Sequence, residues 1–336
     1  MIARRRLAGL LALAALVLSA CEAKAPETKG STKEITFSIL SAESQQSMQP
    51  LWQPLLDDMS KQIGTPVKPF FASNYTALIE AMRFNKVQAG WFSALPALEA
   101  VNRADAQVLG RVIDAGGDAS YTSVVIVKKG SKIGLDRLLK CDKKLSFGLG
   151  DAKSTSGTLA PMAYLFTPHE IVPADCFKVV RSASHQSNAF SVANGVLDAA
   201  TNNSVGLLFL ARENPELAAK IEVIWRSPPL PESSIVARKD LDPAIREKMR
   251  QFFLTYGTGE GPEADRQRKV LQGLAYGGFR AADDSYLDPI REMEAAQDLA
   301  EARRGGDKAK IDAAQKAFDN VRLQANRRRA TDPDAE

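Results

Sequence analysis

Short apolar runs alternate along the chain with segments in which apolar residues recur every three or four positions. Three of the apolar runs predict buried strands: residues 35–40, 67–71 and 87–92. Helical spacing predicts three amphipathic helices: residues 49–63, 75–84 and 94–103. Because strands alternate with helices, the pattern predicts an α/β fold built on mostly parallel, doubly wound sheets.

Two later segments, residues 123–129 and 234–239, resemble each other, since each is a short apolar strand that ends in basic residues. A second αβ set lies between them, with strands at 145–149, 179–181, 199–202 and 221–225 and helices after Ser156 and at 188–193. One αβ set therefore interrupts the other, with a hinge strand at each crossing. We expect lobe 1 to comprise residues 35–123 and 236–290, and lobe 2 to comprise residues 124–235. Ligands in such folds bind in the crevice at the carboxyl ends of strands.

The start of the chain has the pattern of an export signal. Three arginines at positions 4–6 precede an apolar stretch of 14 residues, which is too short to span a membrane and typical of a signal peptide over residues 1–20. The stretch ends in LSAC, which resembles a bacterial lipobox and makes Cys21 a candidate lipidation site. Alternatively, this is an ordinary small-residue cleavage site and Cys21 is incidental. Residues 21–34 lack large apolar side chains, so we expect a flexible tether.

The C-terminal region is rich in Ala, Glu, Gln, Lys and Arg. Residues 292–304 and 308–327 flank Gly305 and Gly306, which predicts a helical hairpin over residues 291–329. The hairpin is either a solvated tail or a contact between two copies of the chain in a homodimer. Residues 330–336 are predicted to be disordered.

Charge and cysteine content narrow the function classes. Once the three arginines of the predicted signal peptide are set aside, 41 basic residues face 40 acidic residues. This near-neutral balance argues against nucleic-acid binding, which needs a concentrated basic face. Two cysteines remain after Cys21, Cys141 and Cys176. In an exported protein they predict one disulfide, the alternative being two inert buried thiols.

The segment GDAKSTSG, residues 150–157, places three hydroxyl residues between a predicted strand and a predicted helix. Amide groups at a helix start have no intrahelical acceptor and lie at the positive end of the helix dipole, which favours anions. Ser154, Thr155 and Ser156 add neutral donors, so the segment predicts an oxyanion site, although one hydroxyl could simply cap the helix. The Walker pattern needs Gly where Ala152 stands, and Lys153 replaces the third Gly of the dinucleotide fingerprint, so nucleotide binding is not expected.

The chain contains two histidines. His185 follows the predicted strand at 179–181 and precedes a helix, which places it at the same crevice edge. Beside an anion its imidazole would donate a hydrogen bond and its pKa would rise; a structural role is the alternative. His169 is predicted in a surface turn, and with no HExxH motif we expect no metal and no other cofactor. Ser154, His185 and an Asp could form a hydrolase triad, but the GxSxG elbow is missing, so an enzyme is not expected.

Several motifs occur in the order found in one known family. The segments SAESQQ (41–46), MRFNKV (82–87), GD with STSG (150–157) and VAN with ATNN (192–203) resemble the phosphonate-binding proteins, PhnD, of bacterial ABC importers. The resemblance implies a type II periplasmic-binding fold, a two-lobed Venus-flytrap that closes on a phosphonate or related phosphorus oxyanion. It implies delivery of the ligand to a permease in the inner membrane. It also implies ligand contacts from one hydroxyl run, one histidine and two tyrosines: Ser154, Thr155, Ser156, His185, Tyr75 and Tyr121.

The chain departs from this family at two positions. Members that bind aminoalkylphosphonates pair the ligand amine with two acids, and the matching positions here are Val205 and Ser233. Glu232 could serve through a shift of one residue. The sequence therefore favours an alkylphosphonate, phosphite or phosphate over 2-aminoethylphosphonate. Two alternatives to a periplasmic importer subunit remain: a sensor subunit that presents the oxyanion to a receptor, and a hydrolase that uses Ser154 and His185.

Overall fold

The computed structural model describes residues 33–331. The predicted signal peptide, Cys21 and nearly all of the predicted tether lie outside the described residues. Within them, the strands are β1 Ile35–Ile39, β2 Val67–Phe71, β3 Ala89–Phe92, β4 Ala106–Asp114, β5 Ser120–Tyr121, β6 Ser123–Lys128, β7 Ser146–Leu149, β8 Val179–Ser182, β9 Ala199–Asn203, β10 Ile221–Arg226, β11 Leu230–Pro231, β12 Ser234–Arg238 and β13 Tyr276–Arg280.

The α-helices are α1 Gln45–Ile63, α2 Tyr75–Arg83, α3 Ala94–Arg103, α4 Leu135–Leu139, α5 Pro173–Cys176, α6 His185–Ala193, α7 Ser204–Glu213, α8 Pro215–Ala218, α9 Pro243–Thr255, α10 Pro262–Gly273, α11 Asp288–Gly305 and α12 Lys308–Thr331. Two π-helical segments, Thr155–Leu159 and Met162–Phe166, form one continuous helix with the α-helical turn between them. Two 3-10 turns, Thr167–His169 and Asp284–Leu287, complete the helical structure of the described residues.

Two mixed sheets form the two lobes. The lobe 1 sheet has the order β13-β4-β12-β3-β1-β2, and the lobe 2 sheet has the order β10-β6-β9-β7-β8. In each sheet three neighbouring strands pair parallel, β2-β1-β3 in lobe 1 and β8-β7-β9 in lobe 2, and every other pairing between neighbouring strands is antiparallel. The expectation of mostly parallel sheets is therefore wrong, because the strands next to the crossings enter each sheet in the opposite direction.

The chain crosses between the lobes through a short strand pair that the sequence did not predict. β5 and β11 form a separate two-stranded antiparallel sheet in which Tyr121 pairs with Leu230. The two strands predicted as hinges, β6 and β12, begin just beyond this pair, one in each large sheet. We propose that the lobe boundaries fall within this crossing.

Helix α1 shows why the first helix begins earlier than its apolar pattern suggested. The Ser44 side chain accepts a hydrogen bond from the Ser47 amide at 3.2 Å and caps the helix, which begins at Gln45, four residues before the predicted start. Gly64 ends the helix in the left-handed region, with φ of 79°. Apolar residues at helical spacing bury one face against the lobe 1 sheet, among them Trp52, which packs against Phe37.

Lobe 2 has its own aromatic core and a covalent crosslink. Phe147 on β7 stacks on Phe177 with ring centroids 4.6 Å apart, and both contact Phe166. A disulfide joins Cys141 and Cys176, as predicted. The crosslink closes a loop that contains β7 and the GDAKSTSG segment, and so restricts the unfolded chain in this region.

The predicted C-terminal hairpin is present as α11 and α12, with Gly306 in the left-handed region between them. Ile290 of α11 is fully buried against lobe 1, and Arg328 of α12 makes a bidentate ion pair with Asp288 at 2.7 and 2.8 Å. α12 continues to Thr331, past the predicted start of the disordered tail. Contact between two hairpins in a dimer stays a prediction. Among the described residues, no helix combines the length and apolarity needed to cross a bilayer.

Candidate functional site

A small cavity of about 50 Å³ lies between the lobes, at the carboxyl ends of parallel strands from both sheets. Its lining comes from the segments that follow β1, β2 and β3 in lobe 1 and β7, β8 and β9 in lobe 2, and from the crossing strands and β13. The lining residues are Leu40, Ala42, Glu43, Met48, Tyr75, Trp91, Ser93, Tyr121, Ser154, Ser156, His185, Asn203, Val205, Gly206, Phe209, Glu232, Ser233 and Tyr276. This is the crevice that the two-lobed topology predicted.

The Ser-Thr-Ser turn forms the start of a helix at this cavity. The Ser154 hydroxyl accepts a hydrogen bond from the Gly157 amide at 2.9 Å, which caps the helix. Ser154 and Ser156 both line the cavity, and each is 2% exposed. Ser154 therefore both caps the helix and lines the cavity. The amides of the first helical turn lie at the positive end of the helix dipole.

Thr155 differs from the expectation for a ligand contact. It is fully buried and does not line the cavity. Its hydroxyl oxygen accepts a hydrogen bond from the Leu95 amide at 2.8 Å and lies 3.4 Å from Ser93 Oγ, both of which belong to lobe 1. Side chains of neighbouring residues at a helix start point in different directions, so Thr155 faces the opposite lobe instead of the cavity.

His185 begins α6 with its imidazole buried beside the two serines. Its Nε2 lies 3.5 Å from Ser154 Oγ and 3.3 Å from Ser156 Oγ, whereas its Nδ1 is buried without a partner among the described residues. Burial lowers the pKa of His185 to about 4, which is opposite to the rise expected beside an anion. The imidazole is therefore neutral at pH 7 in this structure, and an anion would have to supply the charge that raises its pKa.

Both predicted tyrosines reach the cavity. Tyr75 lies at the start of α2, and its amide donates to Asp151 Oδ2 of lobe 2 at 3.1 Å. Tyr121 lies on β5 in the crossing between the lobes. Burial raises the pKa of both phenols above the ordinary value. Both hydroxyls are therefore protonated at neutral pH and can donate to an anion.

The three positions singled out for specificity also line the cavity. Val205 is the second residue of α7, and its apolar side chain leaves no charge at the position that the family resemblance marks. Glu232 and Ser233 are both 4% exposed, and Ser233 donates to Glu232 Oε1 from its amide at 2.8 Å and its hydroxyl at 3.0 Å. Burial raises the pKa of Glu232.

Sequence reasoning missed Glu43, although it lies within a segment quoted for the family resemblance. Glu43 lines the cavity, and burial together with the nearby Glu213 raises its pKa to about 8. One signal could have identified it, because residues that directly follow the first strand of such a fold lie at the crevice edge. Trp91, Asn203 and Tyr276 were missed as lining residues too.

The described residues contain no group of three or more His, Cys, Asp and Glu side chains placed to hold a metal ion. His169 lies apart from the cavity, and its Nδ1 lies 2.7 Å from the Leu165 carbonyl oxygen. The lining of the cavity contains neutral hydroxyl, amide and imidazole groups together with two carboxyl groups, those of Glu43 and Glu232.

Comparisons with known proteins agree with this geometry. A family model described as the periplasmic substrate-binding protein of phosphonate ABC transporters matches residues 37–287. The chain is 44% identical over 262 residues to the phosphonates-binding periplasmic protein of Escherichia coli K12, and the match covers 78% of this chain and 76% of that relative.

Solved structures extend the comparison. A binding protein component of an ABC phosphonate transporter from Pseudomonas aeruginosa matches with a TM-score of 0.83 and 36% identity, over 88% of this chain and 98% of that chain. PhnD1 from Prochlorococcus marinus, solved with methylphosphonate, matches in fold with a TM-score of 0.70 and 21% identity, over 79% of this chain and 98% of that chain.

The two lobes, the short strand crossing and the cavity between them define a type II periplasmic solute-binding protein. The chain belongs to the family of periplasmic substrate-binding proteins of phosphonate ABC transporters. Members of this family supply the substrate-binding component of an importer, and the predicted fold class and function are confirmed at this level.

Proposed function

We propose that the protein binds a phosphorus oxyanion at the Ser-Thr-Ser turn and delivers it to an ABC permease. The observation that carries this proposal is the joint position of Ser154, Ser156 and His185 at a helix start inside the cavity between the lobes. Tyr75 and Tyr121 add protonated hydroxyls from lobe 1 and from the crossing. Charged-group hydrogen bonds contribute about 1.5–3 kcal/mol each, so a few suffice for micromolar affinity, which needs about 8 kcal/mol.

The arrangement around His185 favours binding over hydrolysis. Ser154 Oγ lies 3.5 Å from the imidazole, but it is already the acceptor of the Gly157 amide. Nδ1 of His185 has no carboxylate partner among the described residues to orient the ring. A serine nucleophile needs a base that is itself oriented by a third group.

Calorimetric titration of the purified protein tests the proposal. The panel is methylphosphonate, phosphite and phosphate, with sulfate as an oxyanion that lacks phosphorus. We expect at least one phosphorus oxyanion to bind at micromolar concentration or below, and sulfate to bind far more weakly. Binding of no phosphorus oxyanion would overturn the proposal and leave the fold unaffected.

The substitution Ser156→Ala tests the turn itself. Ser156 is the cleaner choice because its hydroxyl caps no backbone group, whereas that of Ser154 does. Loss of one hydrogen bond to a charged ligand should raise Kd by about tenfold to a hundredfold. Ser187→Ala, an exposed hydroxyl on α6, is the matched control and should leave Kd unchanged.

The cellular site belongs to the same proposal. The family is periplasmic, and the LSAC sequence supports lipid attachment at Cys21. An acylated Cys21 would keep the protein at the membrane surface near its permease, and two or more acyl chains give stable anchoring. Cell fractionation tests this: Cys21→Ser should move an exported protein from the membrane fraction to the soluble fraction.

A further inference from the structure

A second, larger cavity lies on lobe 1, outside the crevice. Its walls come from β4, from the segment after β13, from Pro231 in the crossing and from the C-terminal hairpin. Its volume of about 790 Å³ is in the range of small-molecule sites. It shares no lining residue with the cavity between the lobes. We call it the arginine groove, because its charged lining residues are four arginines and two aspartates: Arg111, Arg250, Arg328, Arg329, Asp283 and Asp288.

Arg111 of β4 is the central feature of the arginine groove. Its Nε is buried and has no hydrogen-bond partner among the described residues, and no ion pair joins the side chain to a described carboxylate. The guanidinium lies over the ring of Tyr286, with 5.4 Å from Cζ to the ring centroid. Because a guanidinium stays charged, a partly buried one without a counter-ion is costly. An anion in the groove would offset this cost.

The two aspartates of the groove already bond to other groups. Asp288 accepts from Arg328 at 2.7 and 2.8 Å and from Arg291 at 2.7 Å. Asp283 Oδ1 accepts from the Ser285 amide at 2.8 Å at the start of a 3-10 turn. The acids of the lining therefore do not neutralise Arg111.

Arg250 of α9 adds a second weakly paired cation. Its Nε lies 3.9 Å from Glu247 Oε2, and the two side chains are 37% and 59% exposed. An exposed pair at this distance contributes little, so it does not hold the guanidinium away from another anion. Two guanidinium groups of the groove can therefore accept ligand carboxylates, since the planar fork of arginine matches a carboxylate.

Arg111 stands on a rigid support. β4 is an internal strand that pairs with β12 on one side and β13 on the other. The hydroxyl of Tyr286 lies 3.2 Å from the Ala119 carbonyl oxygen and 3.1 Å from that of Glu232, and donates towards both. The ring beneath Arg111 is thus fixed to both chain segments of the crossing. A site whose cation is held in place in this way spends little entropy on ordering when a ligand binds.

The rest of the groove lining is largely apolar. Six residues supply it: Val108, Leu109, Pro231, Ala281, Ala282 and Pro289. Inorganic anions have no apolar surface to place against such walls. A ligand that suits the whole groove therefore combines an anionic group with a hydrocarbon body.

We propose that the arginine groove is a second ligand site, which takes an organic carboxylate. The carboxylate groups accept from Arg111 and Arg250, and the hydrocarbon part lies against the apolar wall. This inference goes beyond the proposed function and does not depend on it, because the two cavities have separate linings.

Titration with two compounds of nearly equal shape tests the inference on the unmodified protein. The probes are phthalate, a benzene ring with two adjacent carboxylates, and phthalamide, its neutral diamide. Phthalate contains no phosphorus, which separates this site from the proposed oxyanion site. We expect phthalate to bind at millimolar concentration or below and phthalamide to bind at least tenfold more weakly. In the 15N-labelled protein, phthalate should shift the side-chain Nε–H resonance of Arg111.

Variants then locate the bound phthalate. Arg111→Gln should raise its Kd at least tenfold and leave binding of phosphorus oxyanions unchanged. Arg304→Gln, an exposed arginine near the end of α11, is the matched control and should not alter phthalate binding. Ser156→Ala should leave phthalate binding unchanged as well, since Ser156 belongs to the other cavity.

Three results would overturn the inference. The first is absence of phthalate binding, and the second is equal binding of phthalate and phthalamide. The third is a loss of phthalate binding in Ser156→Ala but not in Arg111→Gln, which would place the probe between the lobes. None of these results bears on the proposed function, which fails only if no phosphorus oxyanion binds.

Discussion

At the scale of single residues, His185 responds to burial in a way that sequence alone could not show. Its position at the crevice was predicted from the strand before it. The direction in which its pKa shifts depends on the groups around the ring. The described neighbours, Ser154 and Ser156, are neutral. Burial therefore dominates and lowers the pKa to about 4.

This shift makes anion binding depend on pH. A bound oxyanion raises the pKa of His185 above its value of about 4 in the ligand-free site, so binding takes up a proton between those two values. Affinity should therefore increase as pH falls from 7 towards 5. Calorimetry across this range should show the increase in the unmodified protein, beyond the contribution of the ligand's own ionisation.

His185→Gln isolates the contribution of the imidazole. The variant should keep the part of the pH dependence that arises from the ligand and lose the remainder. In the ligand-free protein, His185 has the opposite effect on the free energy of unfolding. Because folding lowers the pKa of this histidine, the folded protein loses stability as pH falls from 6.5 towards 4. Identical pH profiles for both proteins would exclude His185 from the proton uptake.

At the scale of elements, the turn that carries the serines depends on two glycines in close contact. A Cβ on Gly150 would lie 2.5 Å from Gly157 Cα, and a Cβ on Gly157 would lie 2.6 Å from Gly150 Cα. The Gly150 amide donates to the Gly157 carbonyl at 2.8 Å. The two ends of the GDAKSTSG segment are thus held together by backbone that leaves no room for a side chain.

Gly150→Ala or Gly157→Ala should therefore displace the turn. We expect each to weaken oxyanion binding by more than about tenfold and to reduce the free energy of unfolding by about 1–3 kcal/mol, since inserted atoms force the backbone apart. Urea denaturation and calorimetry measure the two effects. Gly134→Ala is the control, because no atom lies within 4 Å of its added Cβ and its φ is −97°. Unchanged binding in both glycine variants would contradict the role given to this contact.

Local patterns predicted most of these elements, and their failures have physical causes. Continuous apolar runs identified β1, β2 and β7 to within one residue. β4 and β13 were not predicted from the sequence, and their pairing joins distant parts of lobe 1. The helix after Ser156 was predicted, but its π-helical turns were not, because they depend on packing across the turn. Strand direction in the mixed sheets is likewise set by long-range pairing.

The candidate site was predicted unevenly for the same reason. Hydroxyl side chains in sequence marked the turn, and topology placed His185 and the tyrosines near it. Whether a side chain faces the cavity depends on the opposite lobe, so Thr155 was assigned to the ligand and Glu43 was not considered. Local sequence does not encode which residues meet across a crevice.

At the scale of the whole molecule, contacts between the lobes hold this arrangement closed. Lys153 of lobe 2 pairs with Glu99 of lobe 1 at 2.5 Å, and the Ser44 amide donates to Gln186 Oε1 at 3.2 Å. The C-terminal hairpin takes part as well, since Thr167 donates to Gln297 of α11 at 3.0 Å. These bonds exist only when the lobes are together, so they contribute to ligand affinity through closure.

Removal of the Lys153–Glu99 pair should weaken binding without touching the cavity. Lys153→Met should raise Kd by about twofold to fivefold, because partly exposed ion pairs contribute about 0.2–1 kcal/mol. Added salt should diminish the difference from the unmodified protein. Lys144→Met is the control, since Lys144 pairs with Asp142 within lobe 2. Calorimetry at two salt concentrations makes the measurement, and a Kd unaffected in Lys153→Met would show that the pair has no part in closure.

The side chains of the Ser-Thr-Ser turn face in two different directions, and this arrangement has a genetic consequence. Its two serines face the cavity, whereas Thr155 bonds to the Leu95 amide across the crevice. Thr155→Val keeps the shape of the side chain and removes the acceptor, so it should weaken closure without changing the groups that line the cavity. Cells that carry it should contain a folded protein that binds phosphonate more weakly, and they should grow poorly when a phosphonate is the sole phosphorus source. Suppressor mutations that restore growth should map to the surfaces where the lobes meet.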